Sequence, residues 1–138
     1  MRYESAQKQI LKPANVVYLT LSKFSNFTPI LADKVEDWQA DDDTCSFKAK
    51  GFTVALKMTE RIENQLIKIG QGEGTTPFPF SFFLQIKEVE QNDTRIKVTL
   101  DAELNMMMKM MVGAQMQKAV DAIADQIAAA FNQNNPNF

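Results

Sequence analysis

The chain has no histidine and a single cysteine, Cys45. Without histidine, the commonest general base and the commonest metal ligand are missing, and with them every Ser-His-Asp or Cys-His arrangement. Catalysis here would have to use carboxylates, lysine or tyrosine. One cysteine excludes an intrachain disulfide and fits a reducing compartment. No run of about 18–20 apolar residues is present to span a bilayer. The N-terminal MRYESAQKQILKPANVVYL also lacks the apolar core of a secretory signal. Fifteen Lys and Arg against 17 Asp and Glu leave a net charge of −2. No basic run breaks that balance, so the footprint of a nucleic-acid or anionic-membrane binder is missing. These absences predict a cytoplasmic protein that neither binds nucleic acid nor inserts into membrane. No metal-ligand set and no cofactor are expected.

With 138 residues, 45% of them hydrophobic, one domain spanning 1–138 is expected, with 132–138 as a frayed polar tail. RYESAQKQIL (2–11) alternates loosely and reads as a strand. KPANVVYLTLSKF (12–24) carries Val17, Leu21 and Phe24 at helical spacing, with Pro13 suited to a first turn. Pro29 starts a second short helix with Phe27, Ile30 and Leu31 on its apolar face. From Val35 the period becomes two. Asp41–Asp43 mark a turn between strands at 35–40 and 44–50, and Gly51 makes the next turn. Phe52, Val54, Leu56 and Met58 then share a face, as do Ile67 and Ile69. GQGEGTTP (70–77) is a flexible connection. Phe78, Phe80, Phe82, Leu84 and Ile86 line one side of the following strand, with Phe83 on the other. Ile96, Val98, Leu100, Ala102 and Leu104 oppose Arg95, Lys97, Thr99, Asp101 and Glu103, the alternation of a half-buried antiparallel strand.

The pattern then turns helical to about Phe131, roughly 40 Å of helix at 1.5 Å per residue. Six of the eight methionines fall at 106–116. Met106, Met110, Met116, Val120, Ile123 and Ile127 form one stripe, with Gly113 inside it. Methionine both fills awkward cores and grips variable apolar ligands, so this stretch is either packed core or an adaptable cavity wall. Not all of the methionines can face inward. Met107, Met108 and Met111 are expected outside, and a straight helix would also turn Lys109 inward. Strand hairpins grouped apart from helices predict an α+β fold with one sheet face covered.

Three other features are read as structural. Asp41–Asp43 suit a solvated turn, because Cys45 and Ser46 stand where a calcium loop needs a ligand and glycine. GQGEG is followed by extended TTPFPF rather than a helix, so its glycines serve strand bending or a mobile mouth. Cys45 alternates onto the apolar face with no cation beside it and is expected to be inert. Glu60 and Gln71 extend inward-parity runs and are candidate polar handles for a cavity.

The entry KPANVVYLTLSKFSNF, the strand–turn–strand VEDWQADDDTCSFKAKG and the closing LDAELNMMMKMM resemble the SRPBCC superfamily, the START-like helix-grip proteins that include the birch pollen allergen and polyketide cyclases. The resemblance spans the chain and points to a small stand-alone bacterial branch. It implies an α+β helix grip: a curved seven-stranded antiparallel sheet around a long C-terminal helix, with two short helices after the first strand. It also implies a hydrophobic cavity between sheet and helix. The lining candidates there are Phe27, Ile30 and Leu31 near the short helices, and Phe47, Phe52, Val54 and Leu56 on the early strands. Ile67, Ile69, Phe80, Phe82, Leu84, Val98 and Leu100 would form the middle of the sheet, and Met106, Met110, Gly113 and Met116 the helix. The superfamily has no single catalytic signature, and no catalytic residue is assigned. The expected role is non-catalytic binding or transport of a lipid-like, polyketide-like or quinone-like molecule. The alternatives are an interaction module, including a homodimer through exposed apolar surface, and an enzyme of cyclase or dehydrase type.

Overall fold

A computed structural model describes residues 1–49, 51–74 and 78–133. The N-terminal strand is broken in two, β1 (Arg2–Glu4) and β2 (Lys8–Ile10). Helix α1 (Ala14–Leu21), a 3-10 turn (Phe24–Phe27) and α2 (Thr28–Leu31) follow. Then come β3 (Glu36–Ala40), β4 (Thr44–Ala49), β5 (Phe52–Ile62), β6 (Leu66–Gln71), β7 (Phe80–Glu90), β8 (Asp93–Ala102) and the long helix α3 (Met106–Asn132). All strand pairs are antiparallel, in the order β1-β8-β7-β6-β5-β4-β3, with β2 continuing β1 along β8. Counting β1 and β2 as one broken strand gives the expected seven-stranded α+β helix grip. Residues 75–77 of the glycine-rich connection, Lys50 beside the Gly51 turn, and 134–138 of the expected tail lie outside the described residues.

Bulges, invisible to a period of two, decide which side chains face inward. Glu4 pairs with Thr99 but Lys8 pairs with Ile96, so the first strand carries one extra residue. Ser5 stitches the break to β8: its N–H donates to the Val98 carbonyl, and its Oγ accepts from the Val98 N–H, both at 2.9 Å. Tyr3 and Ile10 have opposite parity, yet both reach the core, 8% and 0% exposed. A second bulge falls between Met58 and Glu60. It puts Arg61, not Glu60, opposite the core residue Ile67, which corrects the expectation that Glu60 points inward.

Helix α1 packs its Ala14, Val17 and Leu21 over β6–β8. The C-terminal half of α3 packs Val120, Ala124, Ile127 and Phe131 over β1, β2 and β8. Val17, Leu21, Ile67, Val98, Val120, Ile127 and Phe131 are all at most 1% exposed. Complete burial of each large side chain contributes about 1.5–3 kcal/mol. Asn105 caps α3, its side-chain oxygen accepting from the Met108 N–H at 2.8 Å. At the other end Asn132 is helical and bridges the chain rather than fraying. Its Oδ1 accepts from the Leu11 N–H, and its Nδ2 donates to the Gln9 carbonyl, both at 2.9 Å.

The first turns of α3 depart from the sequence reading. Met106 and Met110 are 80% and 83% exposed, as Met107 and Met111 are at 71% and 70%. The half-buried residues there are Leu104, Met108, Val112 and Met116, and Lys109 is exposed. The flank toward Asp125 and Gln117 faces the broken edge strand: Lys8 pairs with Asp125 at 2.8 Å, and Gln117 Nε2 donates to the Glu4 carbonyl at 2.8 Å. Because α3 lies along this edge of the sheet, Met106 and Met110 overhang it. Of the half-buried residues, Leu104 and Met116 are the ones that pack against the core.

Candidate functional site

Burial is uneven along the concave face of the sheet. Under α1 and the C-terminal half of α3 it is closed: Ile67, Leu84, Ile86, Ile96 and Val98 are at most 5% exposed. Toward the first turns of α3, the same face carries apolar side chains that are only half-buried. These are Phe80 and Phe82 of β7, Leu56 and Met58 of β5, Trp38 and Ala40 of β3, and Leu104 and Met116 against the helix. Phe47 and Val54 share this inward parity and are also half-buried. Together they form an apolar trough continuous with the core.

The trough is built from aromatic ladders. Phe78, Phe80 and Phe82 meet edge-on, with ring centroids 6.2 and 5.8 Å apart. Trp38 lies 6.1 Å from Phe47, and its Nε1 donates to Thr28 Oγ1 of α2 at 2.8 Å. Such contacts hold broad rings in place while leaving their faces available for flat or extended apolar molecules.

Polar groups at the trough serve the chain's own geometry. Gln71 Nε2 donates to the Phe78 carbonyl, and its Oε1 accepts from the Phe80 N–H, each at 3.2 Å. The side chain expected as a handle thus ties the end of β6 to the entry of β7. Arg61 donates through Nε and Nη2 to the Ser22 carbonyl at 3.1 and 2.8 Å, and through Nη2 to Asp43 at 2.8 Å. It fastens the end of α1 to the turn before β4. In that turn Asp41 Oδ1 accepts from the N–H groups of Asp43 and Thr44 and from the Thr44 hydroxyl, which holds its carboxyl below the usual range. Asp42 accepts from the Ser25 hydroxyl at 2.6 Å and, through its carbonyl, from the Phe24 N–H at 3.0 Å. The acidic turn therefore latches the sheet to the helical cap. Burial, with the charge of Asp41 behind it, pushes the Cys45 thiol up to about 12.

The structure brings the expected lining residues together in part. Ile30, Leu31, Phe47, Val54, Leu56, Phe80, Phe82 and Met116 are half-buried around the trough. Phe27, Ile67, Ile69, Leu84, Val98 and Leu100 are buried core beneath or beside it. Phe52 stands 42% exposed at the start of β5, and Met106 and Met110 lie outside. Gly113 sits over Tyr3. Trp38 and Met58 pack around the trough too and were not among the expected lining residues. Trp38 and Met58 had a legible signal, since Trp38 alternates with Ala40 and Met58 continues the Phe52–Leu56 run.

On the convex face Phe83 is half-buried between Arg2 and Lys68, whose charged ends lie 5.7 and 5.5 Å from its ring. A depression of about 520 Å³ lined by Gln39, Ser46, Lys57 and Glu73 also reaches Ala40, Cys45 and Leu56, and so shares two residues with the trough. Gly72 and Gly74 allow close approach to β5. A Cβ at Gly74 would fall 2.6 Å from the Thr53 carbonyl oxygen. Among the described residues no helix is long and apolar enough to cross a membrane, and no three His, Cys, Asp or Glu side chains gather as a metal site.

No known family model and no curated protein matches the sequence. Solved structures do. A point mutant of norcoclaurine synthase from Thalictrum flavum, in complex with a transition-state analogue, superposes with a TM-score of 0.77 at 12% identity, covering 97% of this chain and 95% of that one. The Aha1 dimer from Colwellia psychrerythraea gives 0.67 at 15% identity, covering 98% of each chain. A START superfamily protein from Mycobacterium smegmatis gives 0.64 at 13% identity, covering 91% of this chain and 96% of that one. At such identities the likeness shows the fold, and the chain has the START-like helix-grip fold.

Proposed function

We propose that the chain binds and carries a hydrophobic small molecule, lipid-like, polyketide-like or quinone-like, in the trough between the concave sheet and the first turns of α3, without converting it. The observation that carries this reading is the trough itself. Trp38, Leu56, Met58, Phe80, Phe82 and Met116 pack against the core but stay half-open. Ligand sites are concave, mostly apolar and served by few polar groups. The engagement of Gln71 and Arg61 in the chain's own hydrogen bonds supports binding over conversion. Native mass spectrometry of protein purified gently from its own host tests the reading. A discrete small-molecule adduct, absent from the denatured mass, is expected. A bare chain whose single tryptophan, Trp38, shows no fluorescence response to apolar probes would refute it.

A second reading is self-association through α3. Met106, Met107, Met110 and Met111 expose large apolar side chains on adjacent turns. A structural neighbour is described as a dimer. A native mass at twice that of the chain would favour this reading, and strictly monomeric protein at high concentration would remove it.

A further inference from the structure

One polar atom beside the trough has no role in the fold. Tyr3 is 8% exposed, and its hydroxyl is buried with no hydrogen-bond partner. Buried hydroxyls are nearly always paired, and an orphan calls for a reason. Packing alone does not supply one, because phenylalanine would fill the same space without the desolvated oxygen. The position is specific. Strand β1 sets Tyr3 opposite Leu100, which pairs on its other side with Phe82 of the aromatic ladder. Above it, the Tyr3 oxygen lies 3.2 Å from where a Cβ on Gly113 would be. Gly113 lies about one turn from Met116, which packs half-buried against the core. The hydroxyl therefore stands at the junction of trough floor and helix, under the one residue in α3 that leaves space for it.

We propose that the Tyr3 hydroxyl is the polar contact for the ligand, so that the ligand is an apolar body carrying an oxygen acceptor, a carbonyl, carboxylate or hydroxyl, at the end that reaches beneath Gly113. The inference rests on the trough being the binding site. A small outward shift of the first turns of α3 admits the acceptor, and these turns carry four exposed methionines on their outside. The phenol then donates the hydrogen bond it lacks in the empty protein. An acceptor-free ligand leaves it orphaned. Tyr3 thus selects among molecules of similar shape.

The test uses two probes of nearly equal shape, 2-acetylnaphthalene and 2-ethylnaphthalene, titrated by calorimetry or ligand-observed NMR into the wild-type chain and Tyr3→Phe. The ketone is expected to lose roughly tenfold in affinity on substitution, the size of one hydrogen bond. The hydrocarbon should be unchanged or slightly tighter. The variant should melt no lower than wild type, because no hydrogen bond is lost in the empty protein. An equal change for both probes, or none for either, would overturn the role of Tyr3 and leave the trough standing. Binding of neither probe to the wild type would overturn the trough reading, and the inference with it.

Discussion

Replacing Ile127 by Ala and, separately, Met106 and Met110 together by Ala should give very different losses of stability. Sequence periodicity put all three on one stripe of the C-terminal helix. Ile127 is 1% exposed, while Met106 and Met110 are 80% and 83% exposed. Ile127→Ala removes three buried carbons at about 0.8 kcal/mol each. The cavity left behind raises the loss to roughly 3–4 kcal/mol, and the better helix propensity of alanine returns about 0.4. The net is about 3 kcal/mol, a fall in Tm of roughly 10 °C for a domain of this size. The two methionines bury a fifth of their surface or less, so the pair should cost less than ~1 kcal/mol, part of it offset by propensity. Urea unfolding followed by Trp38 fluorescence and by far-ultraviolet circular dichroism measures both. A double methionine variant as damaged as Ile127→Ala would refute the argument, since it would mean that the first turns of α3 are packed in solution. A dependence of that loss on protein concentration would identify a second copy as the cover.

Cys45 should resist thiol reagents at pH 8 in the native protein and react at once in denaturant, because its thiol is pushed up to about 12 by burial. The raised value also sets a pH dependence. The contribution of the buried thiol is complete below its ordinary value of 9.0 and is lost as pH rises through about 12. Stability should therefore decline over that window, and Cys45→Ala should flatten the decline. Gly74→Ala should cost roughly 1–3 kcal/mol, since its Cβ would sit 2.6 Å from a backbone oxygen that cannot swing aside; a neutral result in chemical denaturation would show that the loop, not β5, gives way.

Long alternations were legible in the sequence because each strand keeps one face on the core. The runs from Phe80 to Ile86 and from Ile96 to Ala102 lie in β7 and β8 with the expected faces inward. What a period of two hides is the single extra residue. The bulge after Met58 exchanged Glu60 for Arg61, and the break at Ser5 brought Tyr3 and Ile10 to one side. A helical wheel hides something different. It gives angles around α3 but not where the sheet ends, so Met106 and Met110 were assigned a floor that does not extend beneath them. Phe83 was expected on the outer face and lies there, but covered by Arg2 and Lys68, which are far apart in the chain. Contacts of that separation carry no local signal.

The methionine-rich turns divide by what each side chain meets. Met108 and Met116 are half-buried, Met116 against the core, whereas Met107 and Met111 are 71% and 70% exposed. Methionine adapts its shape at low cost, so on the trough side it would let one wall fit ligands of different width. Replacing Met108 and Met116 by Leu nearly conserves volume and should cost under ~1.5 kcal/mol for each site. It stiffens the wall, however, and should narrow the range of probe sizes bound without altering the native mass. Replacing Met107 and Met111 by Gln should leave probe binding unchanged and abolish any concentration-dependent association. Titration of a homologous series of alkyl-substituted naphthalenes, with light scattering on the same samples, separates the two effects. If the outer pair altered the probe range, or the inner pair altered association, the two faces of α3 would not be independent. The helix would then have to turn about its axis between an apolar partner and an apolar ligand.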